Sequence, residues 1–186
     1  MIYNNRYQTK TTEYIPGKEK YVEANEALSL VKSGNRVFLH GSAATPVYLI
    51  KALQQRHKEL YDVELISITS LGDIHFDDPE FCNSFFVNSL FVSANTRKIV
   101  NSPHGDYVPV FLSQIPELFN KKILPIDIAI IQVSPPDQHG FCSLGTSVDI
   151  ARSAVDQAKH VIAQVNPRMP RTHGDGFIHT SRITRF

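Results

Sequence analysis

The stretch IDIAIIQV at residues 126–133 decides the fold. It is a short, continuous apolar run rich in isoleucine, which reads as a strand buried on both faces. Downstream, residues 148–158 carry a helical pattern and HVIAQV at 160–165 forms a last strand. Upstream, RVFLH at 36–40 and VELISIT at 63–69 are two more apolar strands. Between them Thr45 reads as an N-cap and Pro46 as the first residue of a helix running to about residue 60. A short amphipathic helix is expected over 24–32, stopped by Ser33-Gly34-Asn35, and an apolar strand over 85–92. Short helical segments follow at 94–100 and 114–119. Residues 107–112 are strand-like, with Pro109 marking an edge or irregular stretch. Strands alternating with helices predict an α/β fold, a mostly parallel sheet flanked by helices on both faces.

Composition narrows the class. The 186 residues, 42% hydrophobic, suit one domain with a real core. Residues 1–21 are polar and aromatic without periodicity and read as an N-terminal arm, with the domain proper over 22–186. The net charge of +1 and the scattered Lys and Arg give no reason to expect a nucleic-acid partner. No apolar run approaches the roughly 18 residues that span a bilayer, and the start has no signal-peptide apolar region. Cys82 and Cys142 are isolated, as small buried hydrophobes of a reduced, cytoplasmic setting would be. The eight histidines and two cysteines show no metal-ligand spacing, so no metal is expected.

Parallel sheets bind ligands beyond the carboxyl ends of their strands. Four loops follow strands here: GSAATP at 41–46, SITSLGD at 67–73, SPPDQHGFCSLG at 134–145 and NPRMPRTHG at 166–174. In the first, Gly41, Ser42, Ala43 and Thr45 are small enough for a carboxylate, thioester oxyanion or phosphate to approach the backbone at a helix start. A plain capped strand-to-helix turn would use the same residues. The loop is neither a phosphate-binding P-loop nor a dinucleotide fingerprint. In the third, two prolines stiffen the strand exit and Asp137-Gln138-His139-Gly140 forms a turn; it is either functional or an Ω-like cover over the sheet end. No G-x-S-x-G elbow accompanies Ser42, Ser143 or Ser147, and the acids Asp73, Asp77 and Asp78 read as solvated.

Taken in order, these segments resemble the acetyl-CoA hydrolase and 4-hydroxybutyrate CoA-transferase family. The matching stretches are GSAATP, NSLFVSANTRKIVNSPHGDYVPVFLSQIPELF, IDIAIIQVSPPDQHGFCSLGTSVDIARSAVDQAK and VNPRMPRTHGDGFIH, and SPPDQHGFCSLGTSVD at 134–149 is the most specific. The resemblance implies two similar α/β domains with the active site between them. It implies acyl-CoA and a small carboxylic acid as substrates, coenzyme A as part of a substrate rather than a resident cofactor, and a nucleophilic glutamate in the second domain. Only the first domain is matched, and no segment here resembles the glutamate motif. The isolated chain is therefore expected to be inactive and to need a C-terminal catalytic domain, with no catalytic residue of its own. Gly41, Ser42, Ala43 and Thr45 would border the acyl or carboxylate group, with Ser70, Leu71 and Gly72 beside them and Asp137, His139 and Gly140 shaping the entrance. An open apolar face would favour a homo-oligomer. A hydrolase of the same fold, a non-catalytic assembly subunit and a sugar-phosphate isomerase-like enzyme are the alternatives. The last would need clustered Lys and Arg that the loops before residue 168 lack.

Overall fold

A computed structural model describes residues 15–186. The arm expected over 1–21 lies outside the described residues up to position 14. From Ile15 onward it packs on the end of its own chain. Lys20 Nζ donates to the carbonyls of Thr180 and Ile183, both at 2.7 Å, and Tyr21 stacks on Phe186 at 4.6 Å.

Six parallel strands form the central sheet: β1 (Arg36–Leu39), β2 (Val63–Ser67), β3 (Phe85–Ser89), β4 (Gly105–Tyr107), β5 (Ile128–Val133) and, after a short strand described below, β7 (His160–Val165). Their order is β4-β3-β2-β1-β5-β7. The chain moves outward from β1 through β4, then returns to the other side of β1 with β5, so the topological switch lies between β1 and β5. All six residues of β5 are buried because both faces are covered. Ala129, Ile131 and Val133 pack with α3 (Ile115–Asn120) and α4 (Ala151–Gln157). Ile128 and Ile130 pack with α1 (Ala24–Leu28) and α2 (Val47–Gln54) on the opposite face. Among the described residues no helix is long and apolar enough to cross a membrane.

A ladder of polar contacts ties the sheet together, starting at the amino ends of β7, β5 and β1 and reaching Asn88 within β3. Lys159 Nζ donates to Asp127 Oδ1 at 2.7 Å, and the other oxygen of Asp127 accepts the Arg36 N–H at 2.8 Å. Arg36 Nε donates to Glu64 at 2.7 Å, and Asn88 Nδ2 donates to the second Glu64 oxygen at 2.8 Å.

Local expectations failed in several places, among them the helix expected over 24–32, which ends at Leu28, and the strand expected over 85–92, which ends at Ser89. Thr45 does not cap α2. Its hydroxyl donates to the Ser42 carbonyl at 2.7 Å and accepts the Leu71 N–H at 3.1 Å, so the helix starts one residue later, with Pro46 at the N-cap. The helix also ends at Gln54 rather than near residue 60. The strand-like run 107–112 is mostly irregular: β4 covers Gly105–Tyr107, and Pro109, lacking an N–H, cannot continue the ladder. The segment 94–100 is a set of turns ending in a short helical turn at Ile99–Asn101.

Candidate functional site

The site is built by the strand exits. At the end of β1, Gly41 lies so close to the β2 exit that a Cβ there would sit 2.8 Å from the Thr69 carbonyl oxygen. That approach lets Ser42 N–H donate to the same oxygen at 2.8 Å, while the Ser42 and Thr69 hydroxyls pair at 2.7 Å. Ser42 adopts a left-handed backbone (φ 52°), unusual for a residue with a side chain. The two Thr45 bonds complete the tie, so residues 41–45 and 69–72 form one unit. Gly41, Ser42, Ala43, Thr45, Ser70, Leu71 and Gly72 are thereby brought together. Their N–H groups are mostly spent internally: Ala44 bonds Gly41 and Thr45 bonds Ser42. Across 42–45, only the Ala43 N–H makes no bond among the described residues.

Beside this unit a cleft of about 750 Å³ opens across the carboxyl ends of β1 to β4. Ser42 and Thr69 line one side. Ile68, Leu90 and Ile115 form a buried apolar floor. Phe91, Tyr107, Phe111 and Leu112 form an exposed rim; Phe111 is 76% exposed. Among the described residues Asp149, just before α4, supplies the cleft's one carboxylate, and no Lys or Arg lines it. No imidazole or carboxylate bonds either cleft hydroxyl among the described residues. The cleft can hold an apolar acyl or thioester segment and offer the Ser42 and Thr69 hydroxyls to a carbonyl oxygen. Among the described residues it has no paired nucleophile and base.

The third loop lies elsewhere. Asp137 Oδ1 accepts the N–H groups of His139 and Phe141, both at 2.9 Å, and Oδ2 meets Arg171 at 2.5 Å. The Phe141 N–H is the main cause holding this carboxyl below its usual range, outweighing burial, with His139 and Arg171 assisting. The turn leads into β6 (Phe141–Ser143), which pairs antiparallel with β8 (Phe177–His179). The loop thus leads into the first strand of a long-range β6–β8 hairpin. His139 and Gly140 border a separate hollow of about 360 Å³ with Lys20 and His179. Cys142 is buried beneath the hairpin, and burial pushes its thiol up to about 12.

Sequence reasoning missed His40, the residue after β1. Its ring is fully buried at the topological switch. Nδ1 accepts the Gln132 N–H at 3.2 Å and Nε2 donates to the Ser147 carbonyl at 2.6 Å, which makes the ring a neutral Nε2–H tautomer. Burial lowers its pKa, more than the bond to the Ser147 carbonyl and the Asp149 charge raise it. The signal available was a histidine closing an otherwise apolar strand. Asp149 and the aromatic rim gave weaker signals, because they converge only in the folded chain.

Known proteins place this architecture. The chain matches the acetyl-CoA hydrolase/transferase N-terminal domain over residues 3–185. It is 46% identical over 162 residues to the succinyl-CoA:acetate/propanoyl-CoA:succinate CoA transferase of Fasciola hepatica, covering 86% of this chain and 34% of that protein. It is 42% identical over 166 residues to the 4-hydroxybutyrate coenzyme A transferase of Clostridium kluyveri, covering 89% and 39%. Among solved structures, RipA from Yersinia pestis superposes with a TM-score of 0.83 at 30% identity, covering 90% of this chain and 41% of that one. A 4-hydroxybutyrate CoA-transferase from Porphyromonas gingivalis gives 0.74 at 28%, covering 90% and 38%. The chain therefore spans little more than a third of the length of these relatives. With its parallel sheet and this match over nearly its whole length, the chain belongs to the acetyl-CoA hydrolase/transferase family, whose N-terminal domain it forms.

Proposed function

We propose that the chain forms the acyl-side wall of a CoA-transferase active site, acting on an acyl-CoA thioester and a small carboxylic acid in the cytoplasm. The cleft is the supporting observation: apolar at its floor, aromatic at its open rim, and lacking a nucleophile–base pair. A glutamate of a C-terminal domain closing that rim is the nucleophile in this reading. It attacks the thioester, giving an acyl–glutamyl anhydride and the CoA thiolate. The thiolate attacks the glutamyl carbonyl, giving a glutamyl-CoA thioester and the free acid. A second acid repeats these steps in reverse and leaves as a new thioester.

Ser42, with the Ala43 N–H, meets the acyl or acceptor oxygen, where preorganised donors are worth most. Gly41, Thr45, Ser70, Leu71 and Gly72 hold that loop in place. Asp137, His139 and Gly140 shape the hairpin at the approach to the site. The dry floor favours a carboxylate nucleophile, which is weak in water.

Reconstitution tests this. The chain alone should transfer no CoA from butyryl-CoA to acetate, and borohydride trapping should find no adduct on its glutamates. Co-expressed with the C-terminal portion of the Clostridium kluyveri relative, it should restore transfer, with the adduct on that portion. Transfer by the chain alone, or an adduct on one of its own glutamates, refutes the reading.

A further inference from the structure

Residues 146–149 carry Asp149 to the cleft, yet they are weakly held. Gly145 before them is anchored, its carbonyl accepting from the Thr172 hydroxyl at 2.7 Å. After them, the Val148 carbonyl accepts only from Ala151 and Arg152 of the adjoining α4, and Asp149 Oδ1 accepts the next residue's N–H. Among the described residues, the one hydrogen bond joining 146–149 to another element is that from His40 Nε2 to the Ser147 carbonyl. His40 is also the residue directly before Gly41 and the tied loop. On its other side the network continues: Gln132 donates its N–H to Nδ1, its side chain accepts from Gln164 at 2.9 Å, and Gln164 accepts the Leu49 N–H of α2 at 3.4 Å.

We propose that His40 is a positioning residue: through its Nε2–H bond to Ser147 it latches residues 146–149, and with them Asp149, against the mouth of the cleft. Its catalytic meaning rests on the reading of the cleft as the acyl site; the latch itself is tested without substrate. The latch works in one protonation state. Protonating the ring places an Nδ1–H against the Gln132 N–H, two donors facing each other, which expels the ring. Asp149 is the charged group acting on it, while Gln132 and Ser147 are neutral.

The test separates the two ring nitrogens. Asn at position 40 keeps an acceptor near Nδ1 but does not reach Ser147; Gln reaches the Nε2 position. Hydrogen exchange on the full chain should show the amides of 150–152, which bond Asp149 Oδ1 and the Val148 carbonyl, exchanging about tenfold faster in His40→Asn, as expected for one lost hydrogen bond. Strands β1 and β5 should keep their protection, and His40→Gln should restore most of the loop's. Unchanged protection in His40→Asn, or equal loss in both variants, overturns the proposal. Should His40→Asn fail to fold, the wild-type chain decides. Imidazole nitrogen shifts must report a protonated Nε2 and a bare Nδ1, and exchange at 150–152 must rise as the ring titrates. The opposite tautomer, or a loop that stays protected after protonation, overturns it. Failure of the transferase reading alone would leave these exchange results untouched.

Discussion

Replacing Gly41 by Ala probes the joint between the two loops. The new Cβ would stand 2.8 Å from the Thr69 carbonyl oxygen and 3.0 Å from Ile68 Cγ1. A backbone oxygen cannot swing aside, so the strand exits must part by about 0.5 Å to reach ordinary contact. That stretches the Ser42 N–Thr69 O bond from 2.8 Å to about 3.3 Å and the Ser42–Thr69 hydroxyl pairing from 2.7 Å to about 3.2 Å, at or past the long end of good geometry for both. Two bonds at about 1 kcal/mol each, plus overpacking of about 1 kcal/mol, give a loss of roughly 3 kcal/mol. For a domain of this size that lowers Tm by about 6–12 °C. Gly34→Ala is the control: nothing lies within 4 Å of its Cβ, but its φ is +76°. It should cost only about 1 kcal/mol, from backbone strain. Urea unfolding of both variants decides between them. If Gly41→Ala is no worse than Gly34→Ala, the loops are not coupled as described.

Thr45→Val leaves the part-buried Leu71 N–H without its partner and the Ser42 carbonyl with only the backbone N–H of residue 45, and chemical unfolding should show a loss of about 1–2 kcal/mol. Cys142, buried with its thiol pushed up to about 12, should resist iodoacetamide at pH 8 in the folded chain while the partly exposed Cys82 is modified, as read by mass spectrometry. Because the folded chain holds His40 below its ordinary 6.5, its contribution to stability is fully present above that pH. That contribution declines as pH falls from 6.5 toward the lowered folded value, and His40→Gln should flatten this part of the urea-midpoint profile. With Phe91, Phe111 and Leu112 exposed around an open cleft, light scattering should find a dimer or larger assembly at high concentration, and a clean monomer would count against an uncovered apolar face.

The sheet was legible because its strands are buried on both faces. IAIIQV, VIAQV and VFL are apolar at nearly every position, and no amphipathic alternation confuses them with surface strands. The hairpin of β6 and β8 was not legible: each strand has three residues, and Phe141 pairs with His179 across a long separation. Pro109 did warn of an irregular stretch, yet nothing local showed that residues 107–112 would turn their side chains into a cleft wall. Thr45 was misread because capping is a local preference, whereas its real partner, Leu71, comes from the next strand exit. The grouping of GSAATP with SITSLGD followed from topology alone, since both loops leave adjacent parallel strands. Asp137 was placed near the same entrance, but its carboxylate is occupied by its own turn and Arg171.

The polar ladder from Lys159 to Asn88 has a consequence for how such a domain diversifies. It pins strand pairing by contacts that span β7, β5, β1, β2 and β3. A register slip would break several of these at once. The cleft occupies the carboxyl ends of β1 to β4, where Ala43, Leu71 and the Phe111 rim are exposed and enter none of those contacts. Mutations that reshape the cleft can therefore accumulate at the carboxyl ends of the strands while the contacts that fix pairing stay untouched. The shape of the cleft and strand register become separately selectable traits.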